Sequence, residues 1–222
     1  MTSDKSGKTR DPGAVAEQTV ARTKSTFREY AEAIGMALLL ALFIRTFIVQ
    51  AFKIPSGSMI PTLLIGDHIL VNKLAYGVRI PLLEDYIFEF QRPQRGDVIV
   101  FIYPEDRSKD FIKRVVAVAG DKVEIRQKKV YINGMPIADT HAYFKDGELA
   151  GELQPGQNNF GPQSVPEGHL FVLGDNRDSS HDSRFWGFVN MDDVRGKAFL
   201  IYWSWDGNER WVRWERLSNL IR

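Results

Sequence analysis

The sequence predicts a mostly β protein: an antiparallel, sandwich-like or barrel-like domain on the outer (exoplasmic) side of a membrane, preceded by one N-terminal transmembrane helix. An apolar segment near the N-terminus has about the 20 residues that a helix needs to cross a bilayer. After that segment, runs rich in Val, Ile and aromatic residues recur between turn residues, which is typical of strands. Few segments show the apolar period of a helix.

Composition narrows the possible functions. With 222 residues, the chain can hold one domain of ordinary size and an appendage. The absence of cysteine excludes disulfides, zinc–thiolate sites and thiol nucleophiles. The formal charge is +1 and the sequence has no basic run, so we expect no binding to nucleic acid.

The first 52 residues are predicted to form an arm and a membrane anchor. Residues 1–32 are polar and include six Lys/Arg, which predicts a solvated, largely disordered arm. Residues 33–52 are apolar except for Arg45, Thr46 and Gln50. Because Ile34–Ile44 is apolar on every face, a membrane span fits better than a buried amphipathic helix. A cleavable export signal stays open as an alternative, since the apolar run is short and Val49 and Ala51 resemble a cleavage pattern.

The charges on either side of the predicted anchor predict its orientation. Residues 13–32 carry Arg22, Lys24 and Arg28, whereas residues 53–72 carry only Lys53. The positive-inside bias therefore places the N-terminus in the cytoplasm and everything after Phe52 outside. Arg45 lies near the outer end of the segment, where a long cationic side chain can reach the membrane surface.

Residues 53–222 are predicted to form the exoplasmic β-domain. The predicted strands are His68–Lys73, Asp97–Tyr103, Phe111–Ala119, Lys122–Arg126, Val130–Ile132, His169–Leu173 and Ala198–Trp205. Asn133-Gly134 predicts a tight turn, and Asp206-Gly207 predicts a hairpin from Ala198–Trp205 to Arg210–Trp214. Residues 139–166 are polar and rich in Gly and Pro, which predicts a long loop or a small insertion. Four tryptophans fit either a lipid interface or a packed hairpin: Trp203, Trp205, Trp211 and Trp214.

A serine-containing turn follows the predicted anchor. Pro55 and Pro61 bracket the turn Ser56-Gly57-Ser58, which can expose a hydroxyl, although such a turn alone is more often only a loop. A nucleophilic serine also needs a base to remove its proton.

Two kinds of base are available to this serine. A histidine triad could be built from His68 or His181 with Asp67 or Asp182. A lysine could serve instead, provided that apolar surroundings lower its pKa.

The predicted strand Phe111–Ala119 offers a lysine in such surroundings. Alternation places Phe111, Lys113, Val115 and Ala117 on one face and Ile112, Arg114, Val116 and Val118 on the other. Each face then holds one cation among apolar neighbours. Arginine keeps its proton in proteins, so only Lys113 could act as a base. The alternative is that both cations are solvated at a strand end.

The densest polar segment, Gly174–Arg184, comes directly after the predicted strand His169–Leu173. Its charged residues are Asp175, Arg177, Asp178, Asp182 and Arg184. Carboxylates could bind a metal ion, but the spacing lacks the acidic twelfth position and central glycine of a calcium loop. The alternating signs favour a network of ion pairs and hydrogen bonds that fixes a loop. We therefore predict neither a metal site nor a cofactor.

In order along the chain, these segments resemble the conserved boxes of type I signal peptidases. The matching stretches are Pro55–Leu63 (Pro-Ser-Gly-Ser-Met-Ile-Pro-Thr-Leu), Arg95–Val98 (Arg-Gly-Asp-Val), Lys113–Asp121 and Gly174–Arg184. The resemblance extends over about residues 33–205 and omits the N-terminal arm and the polar insertion.

The resemblance implies roles for individual residues. Ser58 would be the nucleophile and Lys113 the general base of a Ser-Lys dyad. Ser56 would help to stabilise the oxyanion, and Ser180 would orient the lysine. His181 falls at a variable position of its box, which disfavours a histidine triad.

Four charged residues of the last box have implied supporting roles. Asp182 and Arg184 would form an ion pair that supports the site. Asp175 and Arg177 would belong to the same supporting network.

The function implied by the resemblance is that of a membrane-bound serine endopeptidase. It would remove signal peptides from exported precursor proteins, which have small residues at the first and third positions before the cut. Its partners would be these precursors and the lipid bilayer. Its location would be a bacterial-type inner (cytoplasmic) membrane, crossed once, with the N-terminus cytoplasmic and the catalytic domain periplasmic.

Two other functions are weighed against this one. A self-cleaving repressor would need a DNA-binding domain, which residues 1–32 are too short and too polar to form. A non-catalytic, membrane-tethered β-domain that binds partners is the alternative from a different class.

Overall fold

One helix opens the described part of the chain. The computed structural model describes residues 26–79, 86–145 and 156–222. Helix α1 spans Thr26–Phe43 and continues as a π-helical turn over Ile44–Ile48. At a rise of about 1.5 Å per residue the whole segment is roughly 34 Å long, enough to cross the hydrocarbon core of a bilayer. None of its residues is buried, and within the described ranges it is the only helix long and apolar enough to span a membrane.

This helix differs from the predicted one at both ends. Residues 26–32 are helical, so the predicted disorder of residues 1–32 is wrong there, while residues 1–25 lie outside the described part. Arg28 and Glu32 form an ion pair of 2.8 Å that stabilises the first turns. The helical segment ends at Ile48, so a helix over residues 33–52 is wrong for its last four residues. Those residues belong to strand β1 (Val49–Lys53), where a partner strand satisfies their backbone groups.

In the rest of the described chain the regular secondary structure is mostly strand, and every strand pair in it is antiparallel. After β1 the strands are β2 (Asp67–Asn72), β3 (Gly77–Arg79), β4 (Tyr86–Glu89), β5 (Val98–Ile102), β6 (Asp110–Val118), β7 (Lys122–Arg126), β8 (Lys129–Ile132), β9 (Met135–Pro136), β10 (Phe160–Ser164), β11 (His169–Leu173), β12 (Val189–Asn190), β13 (Val194–Asp206), β14 (Trp211–Val212) and β15 (Asn219–Leu220). A second, one-turn helix, α2, spans Ser183–Trp186. The predicted mostly β, antiparallel fold with one N-terminal helix is confirmed.

Three sheets are formed by these strands. The large sheet has the order β1-β2-β13-β5-β6-β11-β12, with β14 and β15 also paired to β13. A smaller sheet has the order β10-β7-β8-β9, and β3 pairs with β4. The long strand β13 therefore holds the N-terminal strands and the C-terminal strands in one sheet.

An apolar layer joins the two larger sheets. Val116 and Phe171 of the large sheet share one buried cluster with Val123, Ile125 and Val130 of the smaller sheet. Burial of each such side chain stabilises the fold by roughly 2 kcal/mol. Two further clusters line the large sheet, one around Ile69 and Val71 and one around Ile99 and Phe101. This packing gives the sandwich-like arrangement that the strand pattern predicts.

Most of the predicted strands and turns agree with the structure to within a few residues. Lys122–Arg126 and His169–Leu173 are strands with the predicted bounds. Asn133 and Gly134 both have positive φ, as a tight β8–β9 turn requires. β13 and β14 form the predicted hairpin, in which Asp206 pairs with Trp211.

Two predictions about local structure are wrong in part. Residues 139–166 are not one long loop, because Phe160–Ser164 pairs with β7 as strand β10. The prediction for residues 146–155 lies outside the described residues. The register of β6 against β11 also shifts beside Ala117, which packs in the same cluster as Val116 rather than on the face of Lys113. A β-bulge of this kind breaks the strict alternation of a strand.

Candidate active site

The loop between β1 and β2 is closed at its base by backbone hydrogen bonds. Ile54 N–H donates to Asp67 O at 2.8 Å, and Gly66 N–H donates to Ile54 O at 3.1 Å. Gly66 has φ +93°, and a Cβ there would lie 2.1 Å from the Trp205 carbonyl oxygen, so only glycine fits. Met59 and Leu63 are fully buried and fasten the loop to the core. This rigid loop carries Ser58.

Ser58 and Lys113 meet at the centre of the site. Lys113 Nζ lies 2.7 Å from Ser58 Oγ, which is hydrogen-bonding distance. Ser58 is 8% exposed and Lys113 is 4% exposed. The predicted burial of the lysine is therefore observed, and the hydroxyl and the amine that were predicted as nucleophile and base lie within reach of one another.

Burial controls the charge of the lysine. Desolvation lowers the pKa of Lys113 from 10.5 to about 8. The carboxylates of Asp182 and Asp175 act in the opposite direction, and the guanidinium of Arg184 assists the lowering. A measurable fraction of the amine is thus neutral near neutral pH, which a base requires.

Arg114, the second cation of β6, is also buried and has a different partner. Its guanidinium donates two hydrogen bonds of 2.7 Å to the carboxylate of Asp175, which is fully buried. Thr62 Oγ1 donates to the same carboxylate at 2.5 Å. These hydrogen bonds connect the β1–β2 loop, through Thr62, to the segment after β11, through Asp175. Arg114 holds Asp175 in place and so helps to fix the loop.

Asp182 and Arg184 form the predicted ion pair. Arg184 Nε and Nη2 donate to the two carboxylate oxygens of Asp182 at 2.8 and 2.9 Å, and both side chains are almost completely buried. Asp182 also caps α2 and accepts a hydrogen bond from Gly174 N–H at 3.0 Å. Arg184 Nη1 and Nη2 donate further hydrogen bonds to the carbonyl oxygens of Gln157 and Arg177. Because a bidentate pair is rigid, it fixes the polar segment beside Lys113.

The predicted single network is in fact several separate ion pairs. Arg177 does not pair with Asp175 but with Asp139, at 2.5 Å. Asp178 pairs with Lys128 at 3.3 Å. Asp175 and Asp178 thus pair with cations from outside this segment, while Asp182 pairs with Arg184 within it, so the alternation of charges along the sequence does not decide the pairing.

Of the two other serines to which the resemblance gives a role, Ser180 is not hydrogen-bonded to Lys113 in the structure. Ser56 is exposed on the loop of Ser58. Ser180 Oγ is buried and, among the residues that the structure describes, has no hydrogen-bond partner, so the expected bond to Lys113 is not formed. A Cβ on Gly174 would lie 2.2 Å from Ser180 Oγ, which shows that glycine makes room for this hydroxyl.

The histidines lie away from the nucleophile. His68 contacts the ring of Tyr202, and His181 stacks on Phe185 beside Tyr103. The hydrogen-bonding partner of Ser58 Oγ is Lys113, so the histidine triad is not assembled.

Three residues of the site were missed by the reasoning from sequence. They are Thr62, Arg114 and Asn176, whose side-chain amide donates to the carbonyl oxygen of Gly57. Arg114 was visible as a buried cation next to Lys113, but nothing in the sequence assigned Asp175 to it. Thr62 and Asn176 lie within the two motif segments, where residue type alone did not distinguish them from their neighbours.

Comparison with known proteins identifies the family of the chain. The family described as signal peptidase, peptidase S26, matches residues 27–203. The chain belongs to this signal peptidase family. Membership makes it a hydrolase of the serine peptidase class, and the expected resemblance is confirmed.

Individual members of the signal peptidase family are similar along most of their length. Signal peptidase I of Pseudomonas fluorescens is 39% identical over 206 residues, which cover 80% of this chain and 72% of that protein. Signal peptidase I of Aquifex aeolicus is 38% identical over 220 residues, with coverages of 76% and 81%. A crystal structure of a signal peptidase I from Enterococcus faecalis is 32% identical, with a TM-score of 0.41, and covers 49% of this chain and 98% of its own.

Proposed function

We propose that this chain is a membrane-anchored endopeptidase that removes signal peptides from exported precursors with a Ser58–Lys113 dyad. The observation that carries the proposal is the 2.7 Å contact between a buried serine hydroxyl and a buried lysine amine. A buried amine with a lowered pKa beside a hydroxyl is the arrangement that activates a serine without histidine.

The mechanism follows from where the proton can go. Neutral Lys113 Nζ takes the proton of Ser58 Oγ while that oxygen attacks the scissile carbonyl carbon. The protonated amine then gives the proton to the leaving nitrogen, and an acyl–enzyme ester forms at Ser58. Water, deprotonated in turn by Lys113, hydrolyses the ester and releases the second product.

The negative oxygen formed in each attack needs hydrogen-bond donors. The backbone N–H of Ser58 and the hydroxyl of Ser56 are proposed for this role, since both lie on the same turn. Ser180 is proposed to orient the lysine amine once substrate is bound. Its buried, unpartnered hydroxyl supports that role, because an unsatisfied buried group gains a partner when the site closes.

The substrate is proposed to bind as an added strand. β11 pairs only with residues 114–118 of β6, so in the described part of the chain residues 110–113 have β5 as a partner on just one side. An extended peptide can pair with this open edge, which leads directly to Lys113. Backbone pairing tolerates many sequences, while pockets for small side chains at the first and third positions would select the cleavage point.

The membrane is proposed to hold the chain through its N-terminal helix. The proposed span lies within the helical segment Thr26–Ile48, with the N-terminus in the cytoplasm and the catalytic domain on the periplasmic side of the inner membrane. Trp203, Trp205, Trp211 and Trp214 are at least one-third exposed, which suits contact with lipid headgroups. Protease digestion of sealed inverted vesicles tests this orientation: a catalytic domain that is digested from the cytoplasmic face contradicts it.

Cleavage of a purified precursor is the direct test of the proposed function. The wild-type chain in detergent should release a mature protein whose new N-terminus follows small residues at the first and third positions before the cut. Ser58→Ala should leave the precursor intact and should lose labelling by a serine-directed acylating inhibitor. A wild-type chain that binds precursor but neither cleaves it nor becomes labelled would instead be a non-catalytic binding domain.

The lowered pKa of Lys113 predicts how the rate depends on pH. Only the neutral amine accepts a proton, so below about pH 8 the value of kcat/KM should rise about tenfold per pH unit and then level off. Measurement of kcat/KM between about pH 6 and pH 10 checks this, with the folded state followed by circular dichroism at each pH. A midpoint of the kcat/KM profile at about pH 6.5, the pKa of an ordinary histidine, would contradict lysine as the base.

A further inference from the structure

Asn176 binds both backbone carbonyl groups that flank the side chain of Ser58. Its amide Nδ2 donates to the carbonyl oxygen of Gly57 at 3.0 Å. Its backbone N–H donates to the carbonyl oxygen of Ser58 at 3.1 Å. One residue thus holds two successive peptide groups of the loop.

Two successive peptide planes determine the direction of the side chain between them. The orientation of the Gly57–Ser58 peptide sets φ of Ser58, and the orientation of the Ser58–Met59 peptide sets ψ. With both planes held, the Cα–Cβ bond of Ser58 has a fixed direction, and Oγ lies where Lys113 Nζ can reach it. The position of Ser58 Oγ relative to Lys113 Nζ therefore depends on Asn176.

The same contact sets the direction of a backbone N–H group. In a planar trans peptide, the C=O of Gly57 and the N–H of Ser58 point in opposite directions. A hydrogen bond that holds the Gly57 oxygen also holds the Ser58 N–H, which is the proposed oxyanion donor. Glycine at position 57 makes this constraint necessary, because its backbone has few steric barriers to rotation.

Asn176 is itself well placed to act as a rigid support. It is 6% exposed, and its backbone forms a bridge with Tyr143. The preceding residue, Asp175, is fixed by the buried pair with Arg114. Within the turn itself, the Gly57 carbonyl oxygen accepts one longer hydrogen bond, from Ile60 N–H at 3.3 Å. The loop alone therefore holds the orientation of the Gly57–Ser58 peptide less tightly than it is held with Asn176.

We propose that Asn176 is a positioning residue that fixes the Gly57–Ser58 peptide and thereby aims both the nucleophile and the oxyanion donor. This inference rests on the proposed function, and Asn176 itself does not contact the reacting atoms. The side-chain amide is the part that can be removed by substitution, since the backbone hydrogen bond to Ser58 remains in every variant.

Asn176→Ala is the first test. Removal of one oxyanion-hole donor costs about 10²- to 10³-fold, so loosening the peptide that carries a donor should lower kcat by about 10- to 100-fold. KM for a precursor should change less than about twofold, because ground-state binding does not use the oxyanion donors. Asn176→Asp should lower kcat at least as much, since a carboxylate of the same size cannot donate to the Gly57 oxygen and repels it.

Inhibitor binding separates positioning from general damage to the fold. A peptide boronic acid ending in an alanine analogue forms a tetrahedral anion on Ser58 Oγ, and its affinity should fall about as much as kcat/KM. A precursor made uncleavable by proline after the cleavage point should bind both Asn176 variants as it binds wild type. The thermal midpoint of unfolding should be followed for every variant.

A matched control comes from another asparagine of the chain. Asn219 Nδ2 also donates to a backbone carbonyl, that of Glu215 at 3.1 Å, but on an exposed strand outside the loop of Ser58. Asn219→Ala should keep wild-type kcat and wild-type affinity for the boronic acid.

Three outcomes would overturn the inference. Full kcat in Asn176→Ala removes the positioning role and leaves the proposed function intact. Equal weakening of the boronic acid and the uncleavable precursor, with a lower thermal midpoint, means that Asn176 only stabilises the fold. If Asn176→Ala does not fold, Asn176→Asp gives the same readings. A wild-type chain that leaves the precursor intact overturns the proposed function itself, and the positioning role with it.

Discussion

Lys113→Arg is expected to abolish precursor cleavage, with kcat/KM lowered by about 10³-fold or more, within the range that general-base catalysis contributes. The substitution keeps the positive charge and the approximate size of the side chain. It removes only the ability to become neutral, because a guanidinium stays protonated at every pH at which the protein is folded. Initial rates of precursor cleavage by purified protein measure the effect.

The control for this prediction is the same substitution at a lysine outside the site. Lys53 is exposed on β1, and Lys53→Arg should cleave at the wild-type rate. Circular dichroism should show that both variants are folded. Turnover by Lys113→Arg above about one-tenth of the wild-type rate would refute lysine as the base, since a loss that small lies below the usual contribution of a general base.

Arg184→Met is expected to lower the free energy of unfolding by about 3–5 kcal/mol, the usual cost of breaking a buried ion pair by removing one partner. The carboxylate of Asp182 would stay buried without its bidentate partner. The substitution should also change the pKa of Lys113. The guanidinium of Arg184 helps to lower the pKa of Lys113, and Asp182 raises it, so the midpoint of the pH–rate profile should move upward. Urea unfolding and kcat/KM against pH measure the two effects.

An exposed ion pair provides the comparison for this substitution. Arg126 pairs with Glu124 at the surface, where its side chain is 58% exposed. Arg126→Met should change the free energy of unfolding much less than Arg184→Met does, because an exposed ion pair contributes little, and it should leave the pH profile in place. If Arg184→Met were no more destabilising than Arg126→Met, the buried pair of Asp182 and Arg184 would not fix the polar segment beside Lys113.

The strands were predictable because their cause is local. Runs such as His169–Leu173 combine β-branched and apolar residues between turn residues, and these choices determine the strand before any tertiary contact is known. The end of the helix was not predictable in this way. Val49–Lys53 continues the apolar run of the span, and only its pairing with β2, formed by residues much further along the chain, makes it a strand.

The site was predictable in its residue types but not in its pairings. Lys113 was singled out because arginine cannot lose a proton, which is a property of the side chain alone. The partner of Arg114 was not, because Asp175 lies 61 positions away and three aspartates were available nearby. The proposed role of Asn176 depends on two hydrogen bonds to backbone carbonyl groups of the loop, which no residue pattern encodes.

The dry environment of Lys113 has a consequence for evolution and engineering. Because its pKa falls from 10.5 to about 8 on folding, the unfolded chain holds the proton more tightly, and at neutral pH this site destabilises the native state by about 3 kcal/mol. This destabilisation of the native state has its full value below about pH 8 and disappears as the pH rises toward 10.5. Selection for heat resistance alone would therefore favour replacing this lysine with an apolar residue such as methionine. A library screened only for thermal survival should therefore accumulate apolar substitutions at position 113 and lose the proposed peptidase activity with them.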